Sequence, residues 1–171
     1  MSCFILDNVD SNSVNNFSIL REIIQHDNFS YFLEAYSDYF DNFSVYRNNN
    51  KNYKERGDYI KIPLHTSLWF DCYLIIWGPD AVSPIHDHAD NGCLYKVIQG
   101  NIRERIYSSI NLYETSSKEL SVGEIGEISN SQGYHKMENI NSNKKGNRVK
   151  SLVSMSVHFY SPPGYKMNVF N

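Results

Sequence analysis

The sequence has no long apolar run, no block of like charge and little cysteine: Cys3, Cys72 and Cys93 in a chain of 171 residues. An odd cysteine count with no Cys-x-x-Cys pair excludes a secreted disulfide framework and a cysteine-built zinc cage. It predicts a reducing compartment, the cytoplasm. Sixteen basic and nineteen acidic residues are interspersed, for a net charge of −3. Neither a phosphate-binding stripe nor a polybasic face is present, so no nucleic acid and no membrane is expected as a partner. No segment reaches membrane-spanning length, and Met1 to Asp10, despite Phe4-Ile5-Leu6, lacks the basic start and apolar core of a secretory signal. The expectation is a soluble monomer acting on small molecules.

At this length one domain over residues 1–171 is predicted, burying roughly 70% of the unfolded chain's surface and needing no disulfide. Val14, Phe17, Leu20, Ile23 and Ile24 recur at helical spacing behind Ser13, a candidate N-cap. Phe29, Phe32, Leu33, Tyr36 and Phe40 make a second apolar stripe behind Asp27 and Asn28. These aromatics are read as packing residues of a helical cover spanning 1–58. Arg47 to Asn52 is a solvated loop. From Tyr59 to the end at 171 the chain is rich in β-branched and aromatic residues broken by Gly and Pro, which predicts strands. Leu94 to Ile98 and Ile102 to Tyr107 read as a hairpin about Gln99-Gly100-Asn101, and Asn141 to Arg148 as an exposed loop. The fold class is mainly β: a small β-barrel behind N-terminal α-helices.

The chemistry starts at Ile85-His86-Asp87-His88. On a strand, residues i and i+2 share a face, so His86 and His88 point together and Asp87 points away. Two histidines alone hold a metal weakly. A third ligand from a distant strand is needed, and His135 in Gly133-Tyr134-His135 follows glycine-punctuated strands. His26 and His65, in helix-edge and loop contexts, are read as surface residues. Three neutral imidazoles leave the metal's charge available to an anion such as a thiolate, and they suit zinc as well as iron. From Val153 to Tyr160 the residues alternate strictly. Val153, Met155, Val157 and Phe159 form an apolar face, and Ser154, Ser156, His158 and Tyr160 a polar one that faces either water or a barrel interior.

Gly78 to Gly100 resembles the first cupin motif, and Gly133-x-His135-x-x-x-Asn139 the second. Together Trp77-Gly78, Ile85-His86-Asp87-His88, Cys93, Gln99-Gly100-Asn101, His135-x-x-Glu138-Asn139 and Ser156-x-His158-x-Tyr160-Ser161-Pro162-Pro163 resemble the cysteine dioxygenases. The resemblance implies a cupin-type jelly roll holding Fe(II) on His86, His88 and His135, which adds O2 to the thiol of L-cysteine. It implies a Cys93–Tyr160 thioether as a protein-derived cofactor, with His158 and Ser156 orienting the phenol. Cys93 stands where the ordinary cupin has a glutamate ligand. The family's carboxylate-binding arginine, two residues after a tyrosine, falls at Lys61 in Tyr59-Ile60-Lys61, with Arg47 and Arg56 as alternatives. A lysine there offers a point charge in place of a bidentate fork. This leaves room for another small thiol such as 3-mercaptopropionate. A non-catalytic cupin that stores or senses a metal or thiol is the alternative of a different class.

Overall fold

The computed structural model describes residues 57–145 and 148–171. The helices expected over 14–24 and 29–40, together with His26, Arg47 and Arg56, lie outside the described residues. Within them the chain runs as twelve strands. In order these are β1 (Tyr59–Thr66), β2 (Asp71–Trp77), β3 (Ile85–His86), β4 (Gly92–Gln99), β5 (Ile102–Tyr107) and β6 (Glu114–Leu120). They continue as β7 (Ile125–Ile128), β8 (Tyr134–Asn139), β9 (Ser142–Lys145), β10 (Arg148–Ser151), β11 (Ser154–Ser161) and β12 (Val169–Phe170). Two five-stranded sheets have the orders β1-β2-β11-β4-β7 and β12-β3-β8-β5-β6. Every pairing in them is antiparallel.

Residue type explains the placement. β2 reads as an almost unbroken apolar run because both its edges are taken, and Cys72, Leu74, Ile75, Ile76 and Trp77 are buried. Fully burying aliphatic side chains such as Leu74 or Ile76 contributes about 1.5–3 kcal/mol each. β6, Glu-Thr-Ser-Ser-Lys-Glu-Leu, is exposed along all but its last residue and closes its sheet with a polar edge. Ile75, Trp77 and Val97 of the first sheet share one core with Ile102, Leu120 and Met137 of the second, so the two sheets enclose a common interior. Asn139 ties this interior to its rim: its Nδ2 donates to the carbonyls of Gly78 and Leu152 at 2.6 and 2.7 Å, and its Oδ1 accepts from Ser154 Oγ at 2.8 Å.

Four expectations are corrected. β4 and β5 do not form a hairpin. β4 is paired by β11 and β7 and β5 by β8 and β6, so Gly100, at φ 74°, carries the chain from one sheet to the other. Residues 141–148 are not all loop, since β9 and β10 pair as a separate two-stranded ribbon. His65 is a half-buried member of β1, its ring 5.9 Å from that of Phe70. β3 ends at His86, leaving His88 beyond the strand. The alternating strand, by contrast, is interior throughout: every residue of β11 is buried, and its polar face looks inward.

Candidate metal centre

Pairing of β3 with β8 makes His86 and His135 direct cross-strand partners. Asn130 holds the backbone of His88 from both sides, accepting from its N–H at 2.8 Å and donating to its carbonyl at 2.9 Å. The three rings converge with centroids 5.6, 4.6 and 4.4 Å apart, and one ring nitrogen from each lies within 4.8 Å of the others. Asp87 turns away. Its carboxylate accepts from Tyr165 Oη at 2.7 Å and from the backbone and side-chain nitrogens of Asn168 at 2.9 and 2.6 Å.

Hydrogen-bond partners fix the tautomers. His86 Nδ1 is 2.9 Å from the Pro84 carbonyl oxygen, which can only accept, so Nδ1 carries the proton. His135 Nδ1 lies 2.7 Å from Glu104 Oε1. Burial alone would push the Glu104 carboxyl up, but the hydrogen bonds from His135 and Lys118 outweigh it and hold the group below its ordinary range. Glu104 is therefore an acceptor. His86 Nε2 then keeps a bare lone pair, and it lies 3.1 Å from His135 Nε2. Neither nitrogen of buried His88 has a hydrogen-bond partner. Burial first, then repulsion from His135, lowers His86 to about 3 and His88 to about 2, so both stay neutral.

Three imidazoles packed this closely, one of them with both nitrogens unpartnered, are unfavourable unless a cation is shared among them. The residues fit a metal ion held by three imidazoles. Glu104 orients one of them from behind, with Lys118 Nζ 2.8 Å from its other oxygen.

A second cluster adjoins the first through Tyr95, whose ring lies 6.4 Å from His135 and stacks on His158 at 5.2 Å. Cys93 on β4 pairs directly with Tyr160 on β11, and both are buried. The Trp77 indole can only donate, so at 2.9 Å it gives its proton to Ser156 Oγ, leaving the serine hydroxyl to donate to His158 Nε2 at 2.8 Å. Burial holds His158 well below the ordinary histidine range. The neutral ring thus carries its proton on Nδ1, 3.6 Å from Cys93 Sγ. Burial raises both the Cys93 thiol and the Tyr160 phenol, with Lys61 opposing it at the thiol. Tyr165 completes a row of four stacked rings, its centroid 5.5 Å from that of Tyr160.

Lys61 is an exposed residue whose ammonium nonetheless lies 4.0 Å from the Tyr73 ring centroid and 4.1 Å from that of Tyr160. Burial of that head lowers its pKa, against the pull of Cys93 and Asp71. Tyr59 packs its ring 5.0 Å from Trp77. A cleft of about 350 Å³, lined by Asp87, His88, Asn130, Tyr165 and Lys166 among others, opens beside His88. Glu104, Asn130 and Tyr165 were not legible as site residues. Only Glu104 leaves a trace, as an acid alternating with Ile102 and Ile106 on one face of β5.

Two antiparallel sheets around a buried three-histidine centre define a cupin-type, double-stranded β-helix protein. A solved Klebsiella pneumoniae protein with a double-stranded β-helix domain matches with TM-score 0.52 at 15% identity, over 68% of this chain and 88% of its own. A Bacillus subtilis oxalate decarboxylase variant matches with TM-score 0.50 at 16% identity, over 68% and 29%. At such identities the likeness is one of fold. The family model for cysteine dioxygenase type I matches residues 11–171, and the chain belongs to that family. Cysteine dioxygenase type 1 of Rattus norvegicus is 30% identical over 99 residues, 55% of this chain and 46% of the rat protein. The Danio rerio protein is 26% identical over 108 residues, 60% and 50% of the two chains. The match thus spans about half the length of these curated relatives.

Proposed function

We propose that this chain is an Fe(II)-dependent thiol dioxygenase that converts free L-cysteine and O2 to cysteine sulfinate. The observation that carries the reading is the convergence of three buried imidazoles, one ring nitrogen from each within 4.8 Å of the others and His88 unpartnered, in a chain of this family. His86, His88 and His135 would hold the metal. Iron, when bound, supplies a meeting point for thiolate and O2 and a path for electrons between them. The balance closes without a further reductant: sulfur loses four electrons, O2 gains them, and both oxygen atoms end on sulfur. The thiol proton remains with the sulfinic acid or passes to solvent.

The protein's own part is positioning. Lys61 pairs the substrate carboxylate as a point charge, with Tyr59 packed against Trp77 behind it. His158, held by Ser156 and Trp77, fixes the groups around Cys93 and Tyr160. We read Cys93 and Tyr160 as partners in a thioether that forms with loss of two hydrogens, O2 being the oxidant, and that makes the phenol rigid. A related thiol such as 3-mercaptopropionate is the second reading, favoured by lysine at position 61 in place of a guanidinium fork. The test is O2 uptake by Fe(II)-loaded protein with cysteine, cysteamine and 3-mercaptopropionate, with identification of the product. Sulfinate from cysteine fastest of the three is the expected result. Bound iron with no thiol-dependent uptake would instead make the protein a non-catalytic cupin.

A further inference from the structure

We infer that Tyr73 is a positioning residue that sets this site's preference for thiols bearing a carboxylate, by clamping the Lys61 ammonium against the ring of Tyr160. The inference rests on the reading of Lys61 as the carboxylate partner. Sheet register places the three residues. Lys61 on β1 pairs with Ile75, and Tyr160 on β11 pairs with Asp71. Tyr73 stands between those two positions on β2 and on the same face, a diagonal neighbour of both. Its ring meets Tyr160 edge-on at 5.9 Å and 73°, and the Lys61 nitrogen sits 4.0 and 4.1 Å from the two ring centroids.

A lysine on an exposed strand has many rotamers and a charge without direction. Here two aromatic faces take up the cation and restrict it to one place, leaving its remaining N–H bonds for an anion. Among the described residues Asp71, the acid on the same face of β2, also acts on the ammonium, and its Oδ2 accepts from the Gly164 N–H at 2.7 Å. A carboxylate that meets the ammonium there is held at a fixed distance from Tyr160. A thiol lacking that carboxylate gains nothing from the clamp.

The experiment uses the full chain loaded with Fe(II). Anaerobic titration gives Kd, and steady-state O2 uptake gives KM and kcat, each with cysteine and with cysteamine. Tyr73→Leu is expected to raise Kd and KM for cysteine roughly three- to tenfold, with kcat and the cysteamine values unchanged. Tyr73→Phe, which keeps the ring face, is expected to match wild type. Tyr73→Met repeats the test should the leucine variant fold poorly. An unchanged Kd for cysteine in Tyr73→Leu overturns the inference, as does an equal loss for cysteine and cysteamine, or a phenylalanine variant as weak as the leucine one. Unchanged cysteine binding in Lys61→Ala overturns the reading of Lys61 itself, and the inference falls with it.

Discussion

Glu104 is fully buried, yet among the described residues it is the carboxylate hydrogen-bonded to a candidate ligand, at 2.7 Å from His135 Nδ1. Glu104→Gln retains the shape but removes the charge that fixes the imidazole tautomer and its basicity. Metal affinity is expected to fall about 10–100-fold, measured by competition with a chromophoric chelator. The thiol and phenol give a second outcome at this scale. Intact mass of protein that has turned over is expected to show a population lighter by the hydrogens lost on joining Cys93 to Tyr160. Cys93→Ala abolishes that population, and Tyr160→Phe does the same. Type and spacing marked the paired histidines, while Cys93, Ser156, His158 and Tyr160 took their expected roles from the family resemblance, alternation alone leaving open which way the face of β11 looks. Trp77 as the donor that orients Ser156, and Asn130 as the clamp on His88, act across 79 and 42 residues of sequence. No local pattern encodes such contacts.

Among the elements, the stack behind the site depends on a residue with no side chain. A Cβ on Gly126 of β7 would lie 2.0 Å from the Tyr95 ring, and Tyr95 stacks on His158. Gly126→Ala must therefore displace Tyr95 or β7, at a cost of about 1–3 kcal/mol by the usual scale of overpacking. Urea denaturation should show the lower stability, and loss of activity should accompany it because His158 loses its stacking partner. Strand identities were readable from β-branched and aromatic content. Strand partners were not, because a Gly-Asn turn signals a hairpin whether or not the two strands stay in one sheet. The polar face of β11 gave the same ambiguity: alternation alone fits water on one side as well as a lined interior. The second sheet decides between them by enclosing that face.

For the molecule as a whole, the centre makes stability depend on pH. His86 and His88 have folded pKa values of about 3 and about 2, below the ordinary histidine value. Between those values and about 6.5 the unfolded chain binds more protons, so stability is lost as pH falls below 6.5. Metal-free protein is expected to be about 2–3 kcal/mol less stable at pH 5.5 than at pH 7.5 from these two groups. Denaturant midpoints at the two pH values check it. A flat profile would mean that both rings are solvated in the metal-free protein.

The place of β11 between β2 and β4 also orders the protein's synthesis. Its partners are distant in sequence, Trp77 with Ser154 and Cys93 with Tyr160. While the chain is leaving the ribosome, β2 and β4 emerge long before the strand that joins their facing edges, and non-local pairing of this kind is slow and exposed to aggregation. β11, translated after both strands that it joins, brings the phenol to the thiol. A bond between them can therefore arise only on a chain whose sheet is already complete, and it would record in covalent form that the molecule had finished folding.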